Sequence, residues 1–417
     1  MRRETKALSK PEPKRTASPV SPAKQARVRK SLPPLTPRLE ELVSRYAPKA
    51  RRGLRKLFRE NNRYADLAVV FPAAAYALAS AHIPIATRRE AANLVVQGAP
   101  LKHVAKSLGL PLWLRRLPPH AFYYDLNDLP AGESFSRKIA NRIPACHDAN
   151  AFWFESVRFC VKACNEEFAL WVANQRVFAK HSEAEALFAT LAAYAWHSRE
   201  VKNRARGLIF VPWHPEIAFD TAVCAAKSWL NRLRLVMQLE KGVITDPWFK
   251  EGEAKGFQFT PLLDHESLLL EARAMKNCAD QYASQLARDR CRLFSITRLG
   301  MHIATLEIGP HPRETGILTI NQLKGRHNMP ASLSIWQAAH AWVSSQDGIK
   351  RTPTKYRKDL PLHTKTWKEL TADYRSCKNG ATWLPEEPGP TAFQQLETNL
   401  ADLARRGGVR SWLFTGV

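Results

Sequence analysis

The side chains of this 417-residue chain with types and spacing suited to chemistry are concentrated between positions 264 and 330. Cys278 is a candidate nucleophile, a role that needs a lowered thiol pKa and a base beside it, with His302 and His327 as the candidate bases. Glu307, Gln322 and Lys324, with Glu271 upstream, form a second candidate set. Carboxylates on neighbouring strands would hold Mg²⁺ to polarise a phosphate and activate water, with the lysine stabilising charge. Gln322 offers a neutral oxygen where that chemistry normally has a carboxylate.

The elements that must position these residues follow from periodicity. Asp264 is placed to cap a helix running to about Arg288, with Leu268, Ala272, Met275, Ala279, Tyr282 and Leu286 on its apolar face. Glu271, Met275, Cys278 and Tyr282 form an overlapping line at steps of four, three and four. Strands are expected at Arg292–Arg298 and Met301–Ile308, joined tightly at Leu299-Gly300, and at Gly316–Lys324. Period-two alternation puts Gln322 and Lys324 on one face, and His302 on the face of Ala304 and Leu306. Gly325 would supply a turn and Asn328 would cap a following helix carrying Leu333, Trp336, His340 and Val343. Helix, three strands and helix is also the element order of metal-dependent nucleases of the restriction-endonuclease type.

These residues resemble the PcfJ-like family of bacterial proteins, found on conjugative plasmids and in bacterial genomes. The matching pieces are Glu271, Met275-Lys276-Asn277-Cys278 and Tyr282, then Leu293-Phe294-Ser295-Ile296, Ala304-Thr305-Leu306-Glu307-Ile308 and Asn321 to Asn328. Gln322, Gly325 and Asn328 look like the family's Gln-x-x-Gly-x-x-Asn element, whereas Asn277 stands where the family often has His. The resemblance covers about residues 260–345. It implies a cytoplasmic accessory role in mobile-element or nucleic-acid biology.

Charge points the same way on separate grounds. The chain has 63 Lys+Arg against 38 Asp+Glu, a net +25, which favours a polyanionic partner, DNA or RNA first and an anionic membrane surface second. Residues 1–60 hold 18 Lys/Arg and 5 Asp/Glu, about half of that excess. Residues 1–37 contain seven Pro and no aromatic residue, a composition that reads as a disordered basic tail. Arg51, Arg52, Arg55, Lys56 and Arg59 put cations next to apolar anchors and are the candidate phosphate-binding residues, a solvated helical face being the alternative. Residues 350–378 add nine Lys/Arg against three Asp/Glu, with Tyr356, Trp367 and Tyr374 interspersed, rings that would stack bases if exposed.

Other features favour plainer readings. Val104 to Leu110 has the Ala-to-Gly spacing of a helix-turn-helix turn, but Pro118-Pro119 leaves too short a recognition helix, so a helical hairpin is expected. Cys160 and Cys164 belong to an apolar stripe with Trp153, Val157, Phe168 and Trp171, which favours core over zinc. Leu67–Thr87 lacks charge but is Ala-rich and broken by prolines, so it reads as a buried helix from Ala73 to Ala81. Gly207–Pro212 reads as a short strand, followed by a helix from about Glu216 to Glu240. Seven cysteines and a basic start with no apolar run after it fit a reducing cytoplasm with no secretory signal.

The expected architecture is α+β. It comprises a basic tail (1–37), a helical region (38–205), an α+β domain with a helix–three-stranded antiparallel sheet–helix core (206–348) and a basic C-terminal extension (349–417). The expected function is a nucleic-acid-associated accessory protein without a cofactor. The alternatives are a Mg²⁺-dependent nuclease and a membrane-peripheral partner of a secretion or conjugation machine.

Overall fold

The computed structural model describes residues 34–126, 129–130, 132–178, 183–199, 203–239, 244–350 and 362–410. The basic-tail reading therefore falls, up to residue 33, outside the described residues, and so does Tyr356. The first helix, Pro37–Ser44, opens on a proline, whose fixed φ and missing N–H suit a first helical turn.

One apolar core runs through the helical part, from Val43 in the first helix to Met237 in the Phe219–Gln238 helix. The C-terminal helices Thr364–Cys377 and Pro390–Arg406 return to this same core. Trp367 and Tyr374 are buried there, and the Tyr374 hydroxyl donates to Ala163 O at 2.8 Å. Neither ring is free to stack on a base. The Ala-rich segment forms a buried helix, Pro72–Ala79, and Gly53 lets the Pro48–Glu60 helix approach it closely. A Cβ at Gly53 would lie 2.4 Å from Ala79 O. Among the described residues, no helix is long and apolar enough to cross a membrane. The segment after Val104–Leu110 is a 3₁₀ turn, Leu112–Arg116, with Trp113 and Leu114 buried, so no recognition helix is formed there. Cys160 and Cys164 are core residues, and burial pushes both thiols upward.

The sheet has five antiparallel strands in sequential order: β1 (Gly252–Ala254), β2 (Phe257–Pro261), β3 (Arg292–Arg298), β4 (Met301–Pro310) and β5 (Leu318–Gly325). The α+β class holds, but three strands were expected. The added pair is a hairpin turning at Lys255-Gly256, both residues at positive φ (50° and 75°), the geometry that matches strand twist in a two-residue turn. Phe257 and Phe259 alternate inward from it. One sheet face packs on the helix Leu333–Ser344, where Trp342 stacks on Phe259 (ring centroids 4.6 Å apart) and meets Phe294 edge-on. The other face carries Leu293, which packs with Leu268, Leu286 and Leu235 of the helical layer.

Two expected elements are corrected. Gly207–Pro212 is not a strand: Arg204–Gly207 forms a helical turn, and Leu208 and Ile209 enter the helical core. The helix expected from Asp264 to Arg288 is broken. It runs from His265 to Met275 behind an Asp264–Ser267 capping box, stops at Lys276, makes a 3₁₀ turn at Ala279–Gln281 and resumes over Ala283–Ala287.

A buried ion pair joins the two parts. Arg232 (4% exposed) donates Nη1 to Asp280 Oδ2 at 2.6 Å and Nε to Leu208 O at 2.6 Å. Asp280 (3% exposed) lies in the 3₁₀ turn of the broken helix. Burial holds the Asp280 carboxyl above its ordinary value and the Arg232 guanidinium below its own, so desolvation outweighs the mutual attraction in both. Removing one partner strands the other charge, so Asp280→Ala should cost about 3–5 kcal/mol in chemical denaturation. A loss under about 1 kcal/mol would show that the pair is not what fastens the sheet to the helices.

Candidate functional site

The break in the helix is built by Asn277. Lys276 takes left-handed backbone (φ 49°, ψ 47°), the Asn277 N–H returns to Ala272 O, and the Asn277 Oδ1 accepts from the Ala279 N–H at 3.1 Å. An Asn side chain that satisfies its own downstream backbone competes with helix continuation. The consequence is that Cys278 and Tyr282 leave the line expected with Glu271 and Met275. Met275 stays in the interior, while Cys278 and Tyr282 turn toward the sheet.

A small polar pocket results, lined by Asn277, Cys278 and Tyr282 on one side and by Leu293, Thr305, Glu307, Gln322, Lys324 and Asn328 on the other. Cross-strand register sets the second group: Glu307 pairs with Gln322 and Thr305 with Lys324, so all four share a face as alternation predicts. Glu307 is 8% exposed, accepts the Tyr282 hydroxyl at 2.9 Å and the Asn321 amide at 3.4 Å. Gly309 makes room for that amide, because a Cβ there would lie 2.0 Å from Asn321 Nδ2.

Glu271 has no exposed surface, and each of its oxygens has a partner. Oε2 meets His302 Nδ1 at 2.7 Å, and Oε1 accepts the Thr305 hydroxyl. Asn277 Nδ2 donates to the same hydroxyl at 2.7 Å, and Ser295 Oγ lies 3.0 Å from His302 Nδ1. His302 was expected on the face of Ala304 and Leu306. It lies instead on the face of Ser295 and Thr305, because the strand register shifts beside Ile303: Ile296 pairs with Ala304 but Thr297 with His302. A carboxylate at Nδ1 fixes the ring and turns Nε2 away from Glu271, the orientation used by bases, metal ligands and anion donors alike. The ring is about a quarter exposed.

The turn after β5 also departs from expectation. Gly325 has ordinary extended backbone (φ −78°), and Ser332, not Asn328, stands at the start of the Leu333–Ser344 helix. His327 and Asn328 take the two left-handed positions (φ 58° and 57°). Such backbone in non-glycine residues costs about 1–3 kcal/mol each at its most unfavourable and clusters at sites that need it. The Arg326–Asn328 turn packs on the His265–Met275 helix and brings Asn328 Oδ1 to 4.0 Å from Cys278 Sγ.

This geometry decides between the candidate chemistries. Cys278 has no imidazole within hydrogen-bonding distance among the described residues, and burial, then the Asp280 charge, push its thiol up. The two carboxylates of the nuclease reading are engaged separately, Glu271 by His302 and Thr305, and Glu307 by Tyr282 and Asn321. Among the described residues, no three His, Cys, Asp or Glu side chains are grouped to hold a metal ion. Glu307 and Gln322 are the oxygen-bearing residues of that reading that line the pocket with Lys324, and Thr305 is the register partner of Lys324.

Of the five candidate phosphate ligands, four have other partners. Arg51 donates to Tyr46 O and Ser44 O at 2.8 Å, Arg55 pairs with Glu40 at 2.9 Å and Lys56 approaches Glu60 at 3.8 Å. Arg59 adds its charge to the field that lowers the Glu40 carboxyl. Arg52 is exposed. The cluster thus fastens the Pro37–Ser44 helix to the Pro48–Glu60 helix. Lys324 lines the pocket and is exposed, and the exposed Lys276 and Arg326 lie beside its lining residues in the chain, Lys276 before Asn277 and Arg326 in the turn that carries Asn328, with Arg273 one helical turn before Lys276. Sequence reasoning named His302 as a base for Cys278 and Asn277 as a departure from the family pattern, but gave Ser295, Thr305 and Asn321 no role and did not join the five to the two carboxylates; the signal within reach was the alternation of Ser295 with Leu293 and of Thr305 with Glu307.

Comparison with protein-family models, curated proteins and solved structures finds no match to this chain. The site's chemistry therefore rests on its own geometry. A raised Cys278 thiol predicts slow alkylation in the folded protein at neutral pH, with a rate still climbing past pH 9, the ordinary thiol value. Peptide-resolved labelling across a pH series measures this, and a plateau reached below neutrality would reinstate Cys278 as a nucleophile.

Proposed function

We propose that this protein is a nucleic-acid-associated accessory protein of the PcfJ-like type that binds its partner through its cationic side chains on phosphates. The observation that carries the proposal is the charge: a net +25 on 417 residues. The loops around the polar pocket support it, since Lys276, Lys324 and Arg326 are exposed there and the pocket's carboxylate, Glu307, is turned inward to Tyr282. Exposed cations beside an inward-facing carboxylate present a surface suited to phosphates. A role without catalysis fits the same geometry, because both carboxylates are already satisfied and Cys278 lies under Asn328.

The folded role of Pro37–Ser44 and Pro48–Glu60 defines where the basic tail can be cut. Val43, Tyr46, Leu54 and Phe58 are buried, so a truncation past residue 60 would remove core as well as charge. Deleting residues 1–33 removes ten Lys/Arg and two Glu and leaves that core whole. Affinity for generic DNA or RNA should fall, and the log–log salt slope should flatten by roughly 0.9 for each duplex phosphate that the shortened chain no longer neutralises. Binding titrations over a salt series measure both. An unchanged slope would place the grip in the folded part, and absence of binding by the full chain at low salt would end the proposal.

Glu307 and Lys324 discriminate the nuclease alternative. With Mg²⁺ or Mn²⁺ the purified protein should leave nucleic acid uncut. Cutting that is abolished in both Glu307→Gln and Lys324→Ala, purified identically and still folded, would replace the accessory role with metal-dependent hydrolysis.

A further inference from the structure

A cleft of about 890 Å³ opens between the two parts of the protein and adjoins the polar pocket through their shared wall residue, Asn277. One wall is the Phe219–Gln238 helix, with Asp220, Thr221, Cys224 and Ser228. The other is the broken segment, with Arg273, Lys276, Asn277 and Gln281. Phe210 lies at the junction with Ile209 and Val211. The volume is that of a small-molecule or cofactor site, with apolar surface beside a few convergent polar groups.

We propose that this cleft seats a nucleotide unit of a single-stranded nucleic acid. The proposal rests on the polyanion-binding reading and names the site and the form of the nucleic acid.

Three observations point to that ligand. Lys276 stands exposed on one wall, and Arg273, three residues and so one helical turn before it, is exposed there too, with Nη2 held at 3.5 Å from Gly207 O and donors left over for a phosphate. Phe210 is half-buried, with the Arg273 guanidinium 4.8 Å and the Arg232 guanidinium 3.9 Å from its ring centroid. With both guanidiniums lying over the ring, the edge of Phe210 together with the aliphatic Ile209 and Val211 gives a nucleobase an apolar surface next to its own phosphate. The hydroxyls of Thr221 and Ser228 and the carboxylate of Asp220 line the opposite wall, where sugar hydroxyls and base edges find acceptors and donors.

The charge balance of the cleft favours the same occupant. Arg232 and Asp280 neutralise each other in the wall, and Asp220 stands in the first turn of its helix, where the helix dipole offsets a negative charge. That leaves Arg273 and Lys276 facing the opening. A duplex is too wide for a cleft of this volume, whereas an unpaired nucleotide is not, and unstacked bases are what single-strand readers accept.

Cys224 in the cleft wall reports occupancy. The experiment uses the full chain at low salt with three probes: oligo-uridylate, oligo-thymidylate and a duplex of the same length. Binding is followed by fluorescence anisotropy, and thiol alkylation is resolved by peptide. Either single strand at saturation should slow Cys224 labelling roughly tenfold while leaving the exposed Cys146 and Cys377 unchanged. The two arms show whether the sugar hydroxyl matters. The double variant Arg273→Glu, Lys276→Glu alters two exposed side chains, and Lys276→Glu alone, which leaves the Arg273 contacts to Phe210 and Gly207 O in place, is the control that separates lost charge from a disturbed wall. The double variant should weaken single-strand binding and flatten its salt slope by roughly 1.4, two phosphates at about 0.7 each, with a smaller effect on duplex.

Nucleic-acid binding with unprotected Cys224 and an unchanged slope in the double variant would refute the cleft site and leave the polyanion reading standing. No binding of any probe would remove both. Protection of Cys224 by duplex as strong as by single strand would refute the single-strand assignment. Phe210→Leu, which keeps bulk but removes the ring, should lower single-strand affinity without altering the far-ultraviolet circular dichroism; undiminished affinity would count against the aromatic surface.

Discussion

The architecture depends on a charge that cannot be left alone. Arg232 enters the interior on the Phe219–Gln238 helix, the longest among the described residues, and three neighbours make its burial tolerable: the Leu208 carbonyl, the Phe210 ring and the Asp280 carboxylate. Asp280 can reach it because the helix that begins at His265 stops at Met275 and the chain turns through Ala279–Gln281. Had that helix continued, Asp280 would have kept its place on the helical register instead of on the 3₁₀ turn. The ion pair and the break therefore require each other. A buried pair of this kind contributes little net stability compared with well-packed apolar residues, and its attested use is to fix one arrangement against alternatives. Here the arrangement fixed is that of the helical layer against the sheet.

The same break explains why polar groups gather beneath it. A β-sheet face covered by a continuous amphipathic helix would present apolar side chains throughout. Beneath this one, Leu293 meets the apolar layer, while Thr305 and Glu307 meet Asn277, Glu271 and Tyr282, and Ser295 meets His302. Each buried carboxylate is satisfied: Glu271 by an imidazole and a hydroxyl, Glu307 by a phenol and an amide. Unsatisfied, either would cost more than its hydrogen bonds contribute, so such a network is all-or-nothing. Asn277 is the hinge of this logic, closing the turn with its oxygen and joining the Thr305 hydroxyl with its nitrogen.

The Asp264 cap, the Leu299-Gly300 turn, the three strands and the shared face of Gln322 and Lys324 follow from local rules, and the structure contains them. The failures have a common physical origin in single residues that interrupt a period. Periodicity carried the helix past Met275 because Met275, Ala279, Tyr282 and Leu286 keep helical spacing, yet the Asn277 side chain takes the backbone bonds that continuation needed. Alternation put His302 beside Ala304 because one extra residue, Ile303, is invisible to a period of two. Asn321 plays the same part on β5, where Glu307 pairs with Gln322 but Ile308 with Ile320. The first hairpin was missed: Lys255-Gly256 and the alternating phenylalanines mark it, but its strands are too short for composition to show them. The cationic helix Pro48–Glu60 shows the limit of charge patterning, since a run of arginines reads as a surface whether the partner is a phosphate or the end of a neighbouring helix.

That last distinction bears on where a polyanion would be held. An arginine whose donors already meet Tyr46 O and Ser44 O must break those bonds before it can bind phosphate, and the packing of the two helices would loosen with them. Lys276 is under no such obligation: its left-handed backbone at the end of the helix turns its side chain to solvent, and its removal would open no core. Lys324 likewise projects from the sheet edge opposite Thr305, whose hydroxyl is already bound from below by Glu271 and Asn277. The helix stop that periodicity cannot foresee thus coincides with one exposed cation, Lys276, while Lys324 stands in regular register. In this fold the residues that stop a helix also determine which charges belong to the structure and which remain available to a ligand.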